Sequence, residues 1–168
     1  IAAIQIGKWL GARVIASASS PYKRELCLKA GADVAVDTRS ASWRDEVKAA
    51  AQGKAIDVVY DPVGGAMTDP AFRTLGYNGR YLVIGFTGGI STLKTNLPLV
   101  KTASMIGVQV RTFGENEPEK SAANIAKIVE LAGQGVLKPM IGKTFALKDY
   151  AAAMNAAFNG EETGRVVM

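Results

Sequence analysis

The sequence predicts an α/β fold: a doubly wound parallel sheet with helices on both faces. Three observations carry that expectation. Four short apolar runs, residues 12–16, 34–36, 56–60 and 81–84, are rich in branched side chains and lack strict alternation, as strands covered on both faces do. Each run ends near a glycine or a small polar turn and leads into a helix-like stretch. The strand-helix pairs recur at a spacing of about 20 to 25 residues, which suits right-handed crossovers on one sheet.

Taken in order, Ile1, Ile4, Ile6, Trp9 and Leu10 follow a helical spacing, and Gly11 supplies the left-handed stop. A strand is expected over residues 13–17. Ser20 before Pro21 is a helix entry, with serine as cap and proline where its missing N–H costs nothing. That helix spans 22–30 and ends at Gly31. The next unit repeats the plan: strand 34–36, a cap at Ser40 or Ser42, helix 43–51 and a stop at Gly53. Strand 56–60, the turn Asp61-Pro62-Val63-Gly64-Gly65, helix 68–75 and strand 79–85 follow. Beyond Gly89 the rhythm changes. A helical turn at 97–100 stands behind Asn96, and residues 104–110 read as an apolar strand at the sheet edge. Helix 118–132 carries Ala122, Ile125, Ile128, Val129 and Ala132 on one face and closes at Gly133 or Gly135. Residues 143–147, a helix over 148–159 and a strand over 165–168 form a tail that does not continue the alternation. The chain opens at Ile1 inside a helix, with no strand or glycine-rich turn before it. The expectation is therefore a Rossmann-like, dinucleotide-binding sheet lacking its first strand, carried by a segment of a longer protein.

Composition narrows the chemistry. The 168 residues are 48% hydrophobic, enough for one ordinary domain with its own core. The net charge of +5 is spread along the chain with no basic run, so the clustered footprint that nucleic acid requires is missing. No apolar stretch approaches the roughly 20 residues that cross a bilayer, so no membrane partner is expected. Cys27 is the one cysteine and there is no histidine. A four-ligand cysteine and histidine zinc site and a histidine-activated nucleophile therefore cannot be assembled from this segment. The single cysteine fits a reducing cytoplasm, and its helical position reads as core packing. Trp9 and Trp43 are read as core or helix-packing residues. Gly85-Phe86-Thr87-Gly88-Gly89 lacks the lysine and serine of a P-loop. Chemistry must come from a cofactor or from residues outside the segment.

In a dinucleotide fold, the residues after the second strand meet the adenosine ribose. Here the strand expected at 13–17 runs into Ser17-Ala18-Ser19-Ser20, with Lys23 and Arg24 one turn into the next helix. An acidic residue there would bond both ribose hydroxyls and repel a 2′-phosphate. Its absence, with hydroxyls and two cations in reach, favours NADPH over NADH.

The segments AAIQIGKWLGARVIASASS, LKAGADVAVDTR, DVVYDPVGG, GRYLVIGF, SMIGVQV, LKPMIGKTFALKDYAAAM and ETGRVVM resemble, in order, the zinc-independent quinone oxidoreductase branch of the medium-chain dehydrogenase/reductase superfamily. The resemblance covers essentially the whole chain. It implies a dinucleotide-binding domain over residues 1–135, partial at its start, and a segment over 136–168 that belongs to a GroES-like catalytic domain. It implies adenosine-phosphate contacts at Ser17, Ser19 and Lys23, and an adenine-side position at Thr38. Pro62 and Val63, with Gly64, would lie near the nicotinamide ribose. Ile84, Gly85 and Phe86 would line the nicotinamide, Val110 and Arg111 would enter the cleft, and Arg165 would match the basic residue of the family's closing motif. The implied activity is NADPH-dependent, metal-independent hydride transfer to a quinone or an α,β-unsaturated carbonyl. Its alternatives are an enoyl-thioester reductase and a nucleotide-binding protein without turnover. Relatives of this kind pair edge strands, which implies a homodimer through residues 104–110.

Overall fold

The computed structural model describes residues 1–159 and 164–168. In chain order the elements are α1 (Ala2–Trp9), β1 (Ile15–Ala18), α2 (Pro21–Lys29), β2 (Val34–Asp37), α3 (Trp43–Ala50), β3 (Ile56–Asp61), α4 (Thr68–Phe72) and β4 (Leu75–Val83). They continue with α5 (Asn96–Lys101), β5 (Ser104–Gly107), α6 (Val110–Asn116), α7 (Pro118–Gly133), β6 (Ile141–Thr144), α8 (Tyr150–Asn159) and β7 (Arg165–Val167). Strands β1 and β2 pair, β3-β4-β5 form a parallel sheet, and β6-β7 form a second parallel pair. The α/β class and the parallel strands are as predicted. Two compact units result, Ile1–Ala35 with Ala126–Met168, and Val36–Ile125.

In the first unit, Ser20 has an extended backbone and its Oγ accepts the Lys23 N–H at 3.2 Å, while Pro21 opens α2. This is the entry read from the sequence. Ile4, Ala16 and Ala32 are buried together, with Val14, Cys27 and Ala30 packed against them. Burial pushes the Cys27 thiol above its ordinary range, so it is a packing group rather than a reactive thiolate. The Asp33 carboxylate accepts the Val14 N–H at 2.7 Å and pairs with the Lys8 ammonium at 2.9 Å. Those two bonds, the backbone one foremost, hold its carboxyl below the usual range. Trp9 departs from expectation. It is 44% exposed, and the Lys127 ammonium stands 5.6 Å from its ring centroid. The Lys127 ammonium of α7 covers the ring there in place of a core.

The second unit is built around Phe72, Leu75 and Tyr81, each at most 1% exposed. Trp43, Ile56, Val59 and Val83 pack against that cluster. The helix expected over 68–75 stops at Phe72, and β4 begins at Leu75 rather than at residue 79. The cause is a register shift: Ile56 faces Leu75, but Val58 faces Arg80. Residues 76–79 are absorbed where Asn78 adopts φ +57° and Gly76 meets β3, since a Cβ there would lie 2.3 Å from that of Ala55.

The edge strand also differs from its prediction. Among the described residues β5 pairs with β4 alone, and it ends at Gly107, so Val110 is the first residue of a helix and not the last of a strand. Gln109 explains the switch, because its side chain accepts the Thr112 N–H at 2.8 Å and caps α6. The tail makes its own strand-helix-strand unit, with β6 and β7 parallel. The expectation that it drops the alternation is corrected. All four residues of β6 are exposed, so the strand carries no buried apolar run that the sequence could display. In the ETGRVVM segment, Glu162 and Thr163 lie outside the described residues. Among the described residues, no helix is long and apolar enough to cross a membrane.

Candidate functional site

Two loops at the carboxyl ends of β3 and β4 hold each other by backbone contact. Asp61 ends β3, and its carbonyl accepts the Ile84 N–H at 2.9 Å, in line with the pairing of Asp61 with Val83. The Val63 carbonyl accepts the Gly88 N–H at 2.7 Å. Gly64, Gly65 and Gly85 are required by that approach. A Cβ on Gly85 would stand 2.8 Å from the Pro62 carbonyl oxygen, and one on Gly65 would stand 2.4 Å from that of Gly88. Gly64 and Gly65 also adopt φ +70° and +67°, where side chains are disfavoured.

The Asp61 carboxylate organises this clasp. One oxygen accepts the N–H groups of Val63 and Gly64, at 2.9 and 3.0 Å. The other accepts the phenol of Tyr81. Burial, with the Asp61 bond second, pushes the Tyr81 phenol far above its ordinary range, so it stays protonated and acts as a fixed donor. Asp61, Tyr81 and the buried Thr68 are site residues that sequence reasoning missed. The available signal was an acidic residue closing an apolar run just before a proline. Its partner Tyr81 lies 20 residues away and only the strand register joins them.

The predicted residues fall into distinct groups. Pro62, Val63, Gly85 and Phe86 form the clasp, with Val63 and Phe86 exposed on it. Ile84, Val110 and Arg111 line an open cleft of about 410 Å³ together with Tyr60, Val108 and Gln109. Thr38 follows β2 half-buried. Ser17 and Ser19 are exposed at the end of β1, and the Lys23 side chain is exposed in the first turn of α2. Arg24 instead turns back to donate to the Ala18 carbonyl at 3.2 Å. Arg165 opens β7 and borders a small cavity of about 210 Å³ with Ala156, Ala157, Gly164 and Val166. Among the described residues, no three histidine, cysteine, aspartate or glutamate side chains gather to hold a metal ion.

Backbone-lined loops at the carboxyl ends of parallel strands are where open α/β sheets bind ligands. Residues 1–127 match the family described as zinc-binding dehydrogenase. The chain belongs to that family. Within the medium-chain dehydrogenase/reductase superfamily, it is 30% identical over 160 residues to quinone oxidoreductase-like protein 2 of Bos taurus, covering 95% of this chain and 46% of that protein. It is 32% identical over 173 residues to the mycoketide-CoA synthase of Mycobacterium tuberculosis, spanning all of this chain but 4% of that protein. Among solved structures, an NAD-dependent alcohol dehydrogenase superimposes with a TM-score of 0.83 at 27% identity, over 99% of this chain and 46% of its own. A mycobacterial quinone oxidoreductase reaches 0.88 at 22% identity, over 98% of this chain and 51% of its own, a likeness of fold. The family member described here thus spans about half the length of the quinone oxidoreductase-like relatives it matches. The predicted resemblance to quinone oxidoreductases and the Rossmann-type cofactor fold both stand.

Proposed function

We propose that this chain is the nucleotide-binding part of an NADPH-dependent oxidoreductase that transfers hydride to a quinone or an α,β-unsaturated carbonyl without a metal. The observation that carries the reading is the glycine clasp between the loops after β3 and β4, beside the cleft of Ile84, Val110 and Arg111. The dihydronicotinamide supplies the hydride when bound. The chain's own residues bind and orient. Pro62 and Val63 keep water from the ribose side, Gly85 admits the close approach of Pro62 that sets the loop, and Ile84 and Phe86 offer apolar contact. Ser17, Ser19 and Lys23 face the adenosine 2′-phosphate, where no acidic side chain in residues 17–20 would oppose it. Thr38 stands on the adenine side and Arg165 closes the segment's last strand. The donor set fits this role, since the chain has no histidine and one half-buried cysteine to offer zinc. Quinone oxidoreductase-like relatives support the substrate class, and a mycobacterial protein of the same fold was solved with NADPH.

On this reading the domain boundary falls near residue 135, with 136–168 belonging to the catalytic part of a cytoplasmic enzyme. Its two copies join through the exposed edge of β5, where Met105 and Ile106 are unpaired on one side. A second reading, an enoyl-thioester reductase, is favoured by the match to the mycoketide-CoA synthase; an enoyl reductase also shares the fold. The deciding experiment follows NADPH oxidation by the full-length protein with a quinone, an enone and an enoyl thioester. Turnover with quinone or enone supports the first reading, and turnover with the thioester alone moves the assignment to the second. Tight NADPH binding with no oxidation of any of them leaves a nucleotide-binding protein and defeats both.

A further inference from the structure

The turn after β3 has few means of fixing itself. Pro62 has no N–H to donate, and Gly64 and Gly65, at φ +70° and +67°, have no side chain to restrain them. One carboxylate supplies the restraint. Asp61 Oδ1 accepts the N–H groups of both Val63 and Gly64, at 2.9 and 3.0 Å, and Oδ2 accepts the phenol O–H of Tyr81. Tyr81 is itself held by packing: it is 1% exposed, and its ring centroid lies 5.9 Å from that of the fully buried Phe72. Three bonds on one side chain therefore tie the turn to the core. They also decide what the turn can offer a ligand. The N–H groups of Val63 and Gly64 are committed to Asp61, the Val63 carbonyl accepts the Gly88 N–H at 2.7 Å, and the Pro62 carbonyl faces the Thr87 hydroxyl at 3.4 Å. What these residues leave outward is apolar, the exposed Pro62 ring and the Val63 side chain.

We infer that Asp61 is a positioning residue: it turns the Val63 and Gly64 N–H groups inward, so that Pro62 and Val63 meet the dihydronicotinamide end of the dinucleotide as a dry apolar wall rather than as a pair of hydrogen-bond donors. The inference rests on the nucleotide-binding reading above and deepens it. Without the carboxylate the two N–H groups would have to find other acceptors, and water is the nearest one available to an exposed turn. The effect falls on the surroundings of the reacting ring, while affinity stays with the adenosine end.

The test uses the full-length protein and its Asp61→Ala, Asp61→Asn and Tyr81→Phe variants. Three quantities are read: amide hydrogen exchange at Val63 and Gly64, the Kd for NADPH by calorimetry, and the fluorescence of bound NADPH, which brightens when water is kept from the dihydronicotinamide. Asp61→Ala is expected to speed exchange at both amides at least about tenfold. It should also remove at least about half of the fluorescence gain on binding, with Kd held within about threefold of the parent. Asparagine keeps an acceptor for both N–H groups and can donate to Tyr81, so Asp61→Asn should return exchange and fluorescence to within about twofold of the parent. Tyr81→Phe keeps the ring in the core and cuts only the tie to it, so it decides the matter if Asp61→Ala fails to fold, with exchange at least about threefold faster and part of the fluorescence gain lost. Parent-like exchange in the variants overturns the claim that the carboxylate sets the turn. Parent-like fluorescence in Asp61→Ala, or an Asp61→Asn variant as impaired as the alanine one, overturns the positioning role. A parent protein that binds neither NADPH nor NADH overturns the proposed function instead, and exchange at Val63 and Gly64 then still decides whether Asp61 holds the turn.

Discussion

The turn after β1 and the paired loops after β3 and β4, which the proposed function gives to the two ends of a nucleotide, are built in opposite ways. The first is held by side chains, the Ser20 cap and the Arg24 guanidinium on the Ala18 carbonyl, and presents Ser17, Ser19 and Lys23 exposed. The second is held by backbone contacts between glycines and by a half-buried carboxylate with three donors. A surface that selects by charge can exchange side chains without disturbing its backbone. A surface that selects by shape cannot. Under the proposed function, specificity between nucleotides would belong to the first region and the geometry of the reacting end to the second.

The sharpest way to break this contrast is Gly65→Ala. The new Cβ would stand 2.4 Å from the Gly88 carbonyl oxygen on a backbone at φ +67°, so chemical denaturation should show a loss of about 2–4 kcal/mol. A variant as stable as its parent would mean the loops part freely. Next comes Lys23→Ala, which leaves the fold intact and lowers the preference for NADPH over NADH about tenfold, or about 1.4 kcal/mol. Equal affinities in the parent, or an unmoved ratio in the variant, would remove charge selection from the first region. Ser20→Ala removes the cap of α2 and should cost about 1 kcal/mol in the same unfolding experiment. Because the cap is a local device, exchange in the loops after β3 and β4 should not respond.

The smallest effect is a pH dependence in the first unit. Asp33 has its carboxyl lowered by the Val14 N–H and by Lys8, so it binds protons less readily folded than unfolded. Its contribution is present above the unfolded value of about 3.9 and is lost as pH falls through the lower, folded value. The melting temperatures of the parent and Asp33→Asn should therefore differ near neutrality and converge below about pH 4. A difference that persists into acid would assign the effect to packing.

Much of the fold was legible because local chemistry specified it. Ser20-Pro21 announced α2, Gly31 and Gly53 announced the stops, and the buried runs announced parallel strands. Boundaries failed where a distant partner decided them. Leu75 looks like the end of a helix until its pairing with Ile56 draws it into β4. Val110 looks like a strand residue until the Gln109 side chain folds back on Thr112. At the site, the turn Asp61-Pro62-Val63-Gly64-Gly65 was visible as a turn, and its glycines as permissive. That those glycines serve a second glycine loop, and that Asp61 is bonded to Tyr81, was not.

Sequence alone determined the class of fold, the helix entries and stops, the lack of a histidine-based metal or nucleophile site in this segment, and the hydroxyl-and-lysine character of the turn after β1. Each depends on residues close together in the chain, where propensity, capping and charge act directly. Tertiary structure alone decided the clasp, the cleft beside it, the Thr68–Ser91 contact and the bond from Tyr81 to Asp61. Those depend on which strand lies next to which and in what register, and hydrogen bonds between residues 20 or more positions apart form only after the sheet has brought them together.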